Sequence, residues 1–448
     1  MDISAMPTAS PSSYTQVQFL QRQAASLLLY QSVLQSEAGI AFLELLQAIR
    51  YTDADARGCL QAYGNYFHAL AARNQNWEDY LISQILFCEN PFSQQAQQKD
   101  FQELPPALVA AAQNDLHILQ SLYECSSACL SQWVQAVAHL PVSPVVWYQE
   151  HNEEDVNTQQ TFYLQHWENW ADAVPELATY YRKFGAGIFA EYRALRWHSG
   201  QFIGIPHPDP IKLGTLVGYE WQRDALLKNT EFLLAGETAL HVLLYGSRGS
   251  GKSSLVKALL NEYGERNLRL LEVTKSDLQD LPKIVEQLRG LPQKFIIFVD
   301  DLSFEEDDDA FKALKVVLEG NLTARPQNVV VYATSNRRHL IREYFADRPA
   351  PKDHEEVHAW DTMQEKLSFS DRFGLTLTFE PANQQTYLTI IRHLAAQAKI
   401  NISPEDLEYQ ALQWATRHNG RSGRTARQFI DFLKADMSLL NPTNNQSD

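Results

Sequence analysis

Gly246-Ser247-Arg248-Gly249-Ser250-Gly251-Lys252-Ser253 fits the pattern G-x-x-x-x-G-K-[ST], and the fold is read outward from it. An apolar run, Leu240–Tyr245, precedes it, and Ser254–Leu260 continues with a helix-like pattern. That is the strand–loop–helix context the motif requires. Glycines let the backbone turn tightly, so its N–H groups point at phosphate oxygens, and the helix N-terminus adds partial positive charge. The stretch Gly246–Ser254 is the expected phosphate cradle. Lys252 would reach β- and γ-phosphates, and Ser253 would hold Mg²⁺. A glycine-rich turn before an amphipathic helix is the plain alternative, and the surrounding sequence argues against it.

Five short β-like runs alternate with helical segments: Leu240–Tyr245, Leu268–Val273, Phe295–Val299, Val329–Thr334 and Leu375–Phe379. Such alternation predicts a parallel sheet covered on both faces, with ligands at its carboxyl edge. The third run ends in Asp300-Asp301, which delivers a carboxylate beside the Mg²⁺ expected at Ser253. The fourth ends in Asn336. If that strand lies between the other two, the Asn336 amide reaches an attacking water or the γ-phosphate; otherwise it simply caps the next helix.

Upstream, Tyr14 to about His198 is helical in pattern, with apolar residues at three- and four-residue steps in Val17–Leu34, Ile40–Ile49, Tyr63–Leu70 and Leu116–Leu140. Breaks fall at Asn90-Pro91 and Pro141–Pro144. Trp147, Trp167, Trp170, Tyr180, Tyr181, Tyr192 and Trp197 read as filling of a helical core rather than as a stacking surface. The Gly- and Pro-rich stretch 199–212 reads as a linker, and residues 1–13 and 441–448 read as polar tails.

The chain has 448 residues, enough for two or three domains, and a formal net charge of −16. This charge argues against a sequence-independent nucleic-acid coat, while leaving room for a local basic groove. No apolar run approaches the length of a membrane span, and the first residues lack a signal-peptide core. Four cysteines make no disulfide framework; Cys125 and Cys129 read as structural thiols. A reducing cytoplasm is the expected compartment.

Taken together, these residues resemble the AAA+ superfamily of P-loop ATPases over about Leu213 to Ser438. In that resemblance Lys252 and Ser253 match Walker A, Asp300 the Walker B metal carboxylate, and Asn336 sensor 1. Leu216–Gln222 looks like the segment that lies against adenine, and Ser370-Asp371-Arg372-Phe373 like the box carrying an arginine finger, Arg372. Gly423-Arg424-Thr425-Ala426 resembles sensor 2, with Arg424 favoured over Arg421 and Arg427. Helical segments at about Asn383–Lys399, Pro404–His418 and Thr425–Leu440 look like the family's lid; Ser403, Pro404 and Asp406 give the second a sound start. More narrowly, Tyr245–Leu255, Asp300–Phe304 and Gly423–Phe429 are similar to a domain-of-unknown-function family of bacterial predicted AAA+ ATPases, a resemblance that includes the helical N-terminal region. The double Asp is also distantly similar to replication initiators and helicase loaders.

The expected architecture is therefore a multidomain chain: an all-α N-terminal domain (14–198), a linker (199–212), a three-layer α/β P-loop core with a five-stranded parallel sheet (213–380), and a small α-helical lid (381–440). The resemblance implies ATP and Mg²⁺ as cofactors and a homo-oligomer, with an unidentified protein partner on the helical domain. One departure stands out. Asp301 occupies the place where the family usually has Glu, one methylene longer, to activate the lytic water. Glu305 or Glu306 could also reach. Slow basal hydrolysis, raised by a partner, is the expectation. A nucleotide-dependent interaction switch and a DNA-linked loader are the competing readings.

Overall fold

A computed structural model of the chain describes residues 11–52, 55–148, 164–303, 309–319, 325–336, 369–418 and 420–440. Glu305 and Glu306, offered above as alternative carboxylates, and the tails at 1–10 and 441–448 lie outside the described residues. The chain divides into two compact units, Met1–Glu191 and Tyr192–Asp448.

The first unit is helical: α1 (Pro11–Ala25), α2 (Glu37–Arg50), α3 (Arg57–Arg73), α4 (Trp77–Phe87), α5 (Pro91–Ala96), α6 (Pro106–Glu124), α7 (Ser127–Val137), α8 (Val174–Phe184) and the short α9 (Ile188–Glu191). Sequence punctuation explains the boundaries. Asn90-Pro91, read as a break, is also a start: Asn90 accepts from the Phe92 and Ser93 amides, and Ser93 Oγ accepts from the Asn90 amide, closing a capping box with Pro91 in the first turn. Trp77 stacks on Phe42 at 4.0 Å between ring centroids, and its indole N–H donates to the Leu122 carbonyl at 2.9 Å. Trp170 and Tyr181 are buried in the same core, as the aromatic crowding suggests. Buried Asp115 accepts from the amides of Leu28, Leu29 and Tyr30, at 2.7–3.0 Å, and so ties down the loop after α1.

Among the described residues, the second unit holds a seven-stranded sheet rather than the five strands expected. The additional strands are β1 (Ala194–His198) and β2 (Gln201–Ile205), an antiparallel hairpin drawn from residues assigned above to the helical domain and the linker. Ser199 and Gly200, at φ +50° and +82°, make its two-residue turn; two successive left-handed residues are what a right-twisted hairpin requires. Trp197 therefore belongs to the sheet, packed edge-on against Phe202 with its N–H on Asp280 at 2.9 Å, and not to the helical core.

The other strands are β3 (Val242–Gly246), β4 (Leu268–Glu272), β5 (Lys294–Val299), β6 (Val329–Ser335) and β7 (Leu375–Phe379), in the order β2-β1-β4-β5-β6-β3-β7 and parallel from β1 onward. Their near-continuous apolar runs fit strands buried on both faces. One face carries Val242, Leu244, Ile296, Phe298, Val330 and Leu377, covered by α10 (Glu220–Ala235) and α11 (Lys252–Tyr263) through Leu226, Leu233, Leu255, Val256 and Leu259. Between strands lie α12 (Leu281–Leu288), whose Leu281, Ile284, Val285 and Leu288 bury one stripe, and α13 (Asp309–Glu319). After β7 come α14 (Gln384–Gln397), α15 (Pro404–Arg417) and α16 (Gly423–Leu440), with their own apolar cluster around Tyr387, Ile391, Ala411 and Phe429. The start of α15 is as read from the sequence: Ser403 caps the Asp406 amide at 3.1 Å.

Behind the sheet's working edge, His241 is buried, and its Nδ1 accepts the Val331 amide at 2.9 Å, so the ring is neutral. Burial first, and Arg325 second, push its pKa down from 6.5 to about 3. A depressed folded value means that the unfolded chain binds the proton first. Stability is thus fully present above about pH 6.5 and falls toward pH 3, at about 1.4 kcal/mol per pH unit, or about 2 kcal/mol between pH 6.5 and 5. His241→Asn keeps an acceptor for the Val331 amide and should flatten this slope in denaturant melts; equal slopes in both proteins would disprove the assignment.

Candidate functional site

Strand order does most of the positioning. Because β6 lies between β5 and β3, the carboxyl ends of all three meet, bringing Asp300, Thr334, Asn336 and the loop after β3 to one edge. The condition set above for Asn336, a fourth strand lying between the other two, is met.

The loop's glycines have no substitute. Gly246 sits at φ +134°, and a Cβ there would lie 2.0 Å from the Phe379 carbonyl oxygen of β7. Next to it the Ser247 amide donates to that same oxygen at 2.8 Å, which anchors the loop to the neighbouring strand. Gly249, at φ +73°, lies directly under Ser422 and Arg424, whose amide donates to the Gly249 carbonyl at 3.1 Å. The loop is thus held by β7 on one side and by the start of α16 on the other.

Lys252 opens α11 and folds back over the loop. Its ammonium donates to the Ser247 carbonyl at 2.8 Å, the Gly246 carbonyl at 3.1 Å and the Asn336 side-chain oxygen at 3.4 Å. Burial lowers its pKa, the Asp300 and Asp301 carboxylates work in the opposite direction, and Arg424 adds to the lowering. Ser253 donates to Asp300 Oδ1 at 2.6 Å. These two oxygen donors fit a hard divalent cation: cis ligands of an octahedral Mg²⁺ stand about 2.9 Å apart, a few tenths of an ångström beyond this hydrogen bond.

Asp301 is the other anchor. It adopts the left-handed backbone at φ +52°, which costs a non-glycine residue about 1–2 kcal/mol. Its carboxylate accepts from the Asn336 amide at 2.6 Å. A line of contacts thus runs from Asp301 through Asn336 to Lys252.

All of this faces a cavity of about 1000 Å³. Of the stretch Gly246–Ser254, the residues from Arg248 to Ser254 line it, while Gly246 and Ser247 shape the turn beneath. Asp300, Asp301, Asn336 and Arg424 also line it, and Arg427 joins them from the next turn of α16. Arg421 instead donates to Gln384 at 3.3 Å, outside the lining. An apolar wall comes from Leu216 and Val217 together with Ile390 and Leu394 of α14. Tyr219 joins this wall and ties it to the sheet, its hydroxyl donating to the Glu380 carbonyl at 2.7 Å.

Arg372 is not brought to this cavity. It closes the turn Phe369–Arg372 before β7 and pairs with Glu319 at the end of α13. Thr334, absent from the expected set, is central: it is 2% exposed, donates to Asp300 Oδ1 at 2.5 Å and accepts from the Asp301 amide at 3.0 Å. The signal was a small hydroxyl residue following the run Val329–Ala333 within β6, two residues before Asn336. Away from the site, Cys125 is buried and Cys129 half-buried, and no cluster among the described residues could hold a metal through three or more His, Cys, Asp or Glu side chains. Among the described residues no helix is long and apolar enough to cross a membrane.

Comparison with known proteins adds the following. Among solved structures, RuvB of Thermotoga maritima, titled a Holliday junction branch migration motor, is similar at 18% identity over 53% of this chain and 68% of that one, with a TM-score of 0.34. A point mutant of the same protein gives 19% identity, 52% and 66% coverage, and a TM-score of 0.35. The chain spans about two thirds of the length of these structures. No curated protein matches the sequence. A family described as a protein of unknown function (DUF815) matches residues 190–437, beginning just before the β1–β2 hairpin and leaving the helical unit outside. The chain belongs to that DUF815 family.

Proposed function

We propose that this chain binds ATP with Mg²⁺ and hydrolyses it, coupling nucleotide state to assembly or to the remodelling of a protein partner. The observation that carries the reading is the convergence of Lys252, Ser253, Asp300, Asp301 and Asn336 on one cavity between the sheet edge and α16. The loop amides and Lys252 take the phosphates, and Leu216, Val217, Ile390 and Leu394 form an apolar wall suited to a base. Ser253 and Asp300 would hold Mg²⁺, which would supply positive charge to offset that of the phosphates. Asp301, steadied by Asn336, orients the attacking water. Arg424 faces the γ-phosphate from α16, and the α14–α16 cluster acts as the lid. The helical unit carries the partner surface.

Asp301 is shorter than the usual glutamate and already engaged by Asn336, and Arg372 is paired within its own chain. These features favour slow basal turnover. They also support a second reading, a nucleotide-dependent interaction switch with little hydrolysis. Phosphate release by the purified protein, followed over many turnovers and against protein concentration, decides between them. Steeply salt-dependent DNA binding would point instead to a loader. Asp300→Asn is expected to lower turnover about 10- to 100-fold at fixed Mg²⁺ and to raise the Mg²⁺ requirement, with metal-free ATP binding retained. Normal turnover in that variant would mean that another carboxylate serves the metal.

A further inference from the structure

We infer that Thr334 is a positioning residue that locks the two acidic side chains into their separate tasks, an inference that rests on the ATPase reading above. Three donors converge on one oxygen, Asp300 Oδ1: Ser253 Oγ at 2.6 Å, Thr334 Oγ1 at 2.5 Å and the Asp301 amide at 3.2 Å. The Thr334 hydroxyl also accepts from the Asp301 amide at 3.0 Å, while its own carbonyl accepts the Leu302 amide at 2.7 Å. A single residue of β6 therefore holds Asp300 by its side chain, and Asp301 and Leu302 by their backbone. Asp301 sits in the left-handed region, which persists only where neighbouring contacts enforce it. Thr334 provides that enforcement from a buried position. Without the hydroxyl, Asp300 loses one of three restraints on the oxygen beside Ser253, and the Asp301 peptide is free to relax out of the left-handed well. The carboxylate of Asp301 then leaves Asn336, the contact that aims it.

Thr334→Val preserves shape and removes only the hydroxyl, whereas Thr334→Ser keeps it. Expected for the valine variant are a 10- to 100-fold fall in kcat with KM for ATP within about threefold, and a weakened Mg²⁺ dependence of fluorescent-ATP binding. Serine should recover both readouts to within about threefold of wild type. Thermal melts of each protein show that the fold is retained; if the valine variant does not fold, Thr334→Ala is measured against serine in its place. Wild-type kcat and Mg²⁺ dependence in the valine variant, or equal losses in serine and valine, would overturn the inference while leaving the ATPase reading intact. Absence of nucleotide binding by the wild type would overturn both, and is recognised because it precedes any variant.

Discussion

Lys252→Ala is expected to weaken binding of ATP·Mg²⁺ about 10²- to 10³-fold. The ammonium is 6% exposed by residue and is held by the Gly246 and Ser247 carbonyls and by Asn336. Triphosphate oxygens would replace the carbonyls as its partners, so the cation serves both states but is essential only to the bound one. Hydrogen bonds to charged groups contribute about 1.5–3 kcal/mol each, and each 1.4 kcal/mol is tenfold in affinity. Loss of two such contacts costs about 3–6 kcal/mol, and the lower part of that span, about 3–4 kcal/mol, corresponds to the stated range. The variant also leaves Asp300 and Asp301 facing the phosphates without the cation that offsets them. Calorimetric titration of wild type and variant measures it, with melts to show that the fold survives. Lys252→Arg should not restore binding, because the planar guanidinium cannot fold back into a turn sized for an ammonium. Affinity within threefold of wild type in Lys252→Ala would contradict the phosphate-loop assignment.

Arg372→Ala is expected to reduce concentration-dependent turnover about 10³-fold, to the basal rate of isolated subunits. Arg372 is paired with Glu319 and absent from its own cavity, so it can stabilise transition-state charge only in the site of a neighbouring copy, after exchanging its partner. Glu319→Gln, which loosens the resting pair, should leave that turnover intact or raise it. The measurement is phosphate release per subunit across a dilution series. Activity that stays constant on dilution, and is the same in Arg372→Ala, would assign Arg372 to a structural ion pair.

Much of the second unit was legible because its signals are local. Gly246–Ser253 dictates the loop and the helix start within eight residues. The apolar run Phe295–Val299 ending in Asp300 fixes both a buried strand and the place of its carboxylate. Ser403-Pro404 likewise marks a helix start observed at that point. What stayed hidden depends on contacts distant in sequence. The β1–β2 hairpin was read as helix end and linker because its turn is Ser199-Gly200, and because Pro206, Pro208 and Pro210 follow at once. Its alternating Leu195 and Trp197 against Arg196 and His198 carried the signal, weakly. Trp197, read as helical core, was misplaced for the same reason.

The site shows the same division. Residue types point to Lys252, Ser253, Asp300 and Asn336 as candidates, whereas the contacts of Thr334 arise only from the pairing of β5 with β6. The positive φ of Asp301 has only a weak sequence signature, since Asp adopts it more often than most non-glycine residues but still uncommonly. Arg372 matched a motif, yet its partner Glu319 lies 53 residues away. Arg424 and Arg427 lie in the first turns of α16 and line the cavity, whereas Arg421 precedes the helix and turns to Gln384.

The measurement that bears most directly on the central claim is equilibrium titration of the wild-type protein with ATP, with and without Mg²⁺. Saturable binding, strengthened by Mg²⁺ and lost in Lys252→Ala, is the result expected if the edge shared by β3, β5 and β6 grips a metal-bound triphosphate. No binding by folded wild-type protein, or binding indifferent to both the metal and Lys252, would contradict it.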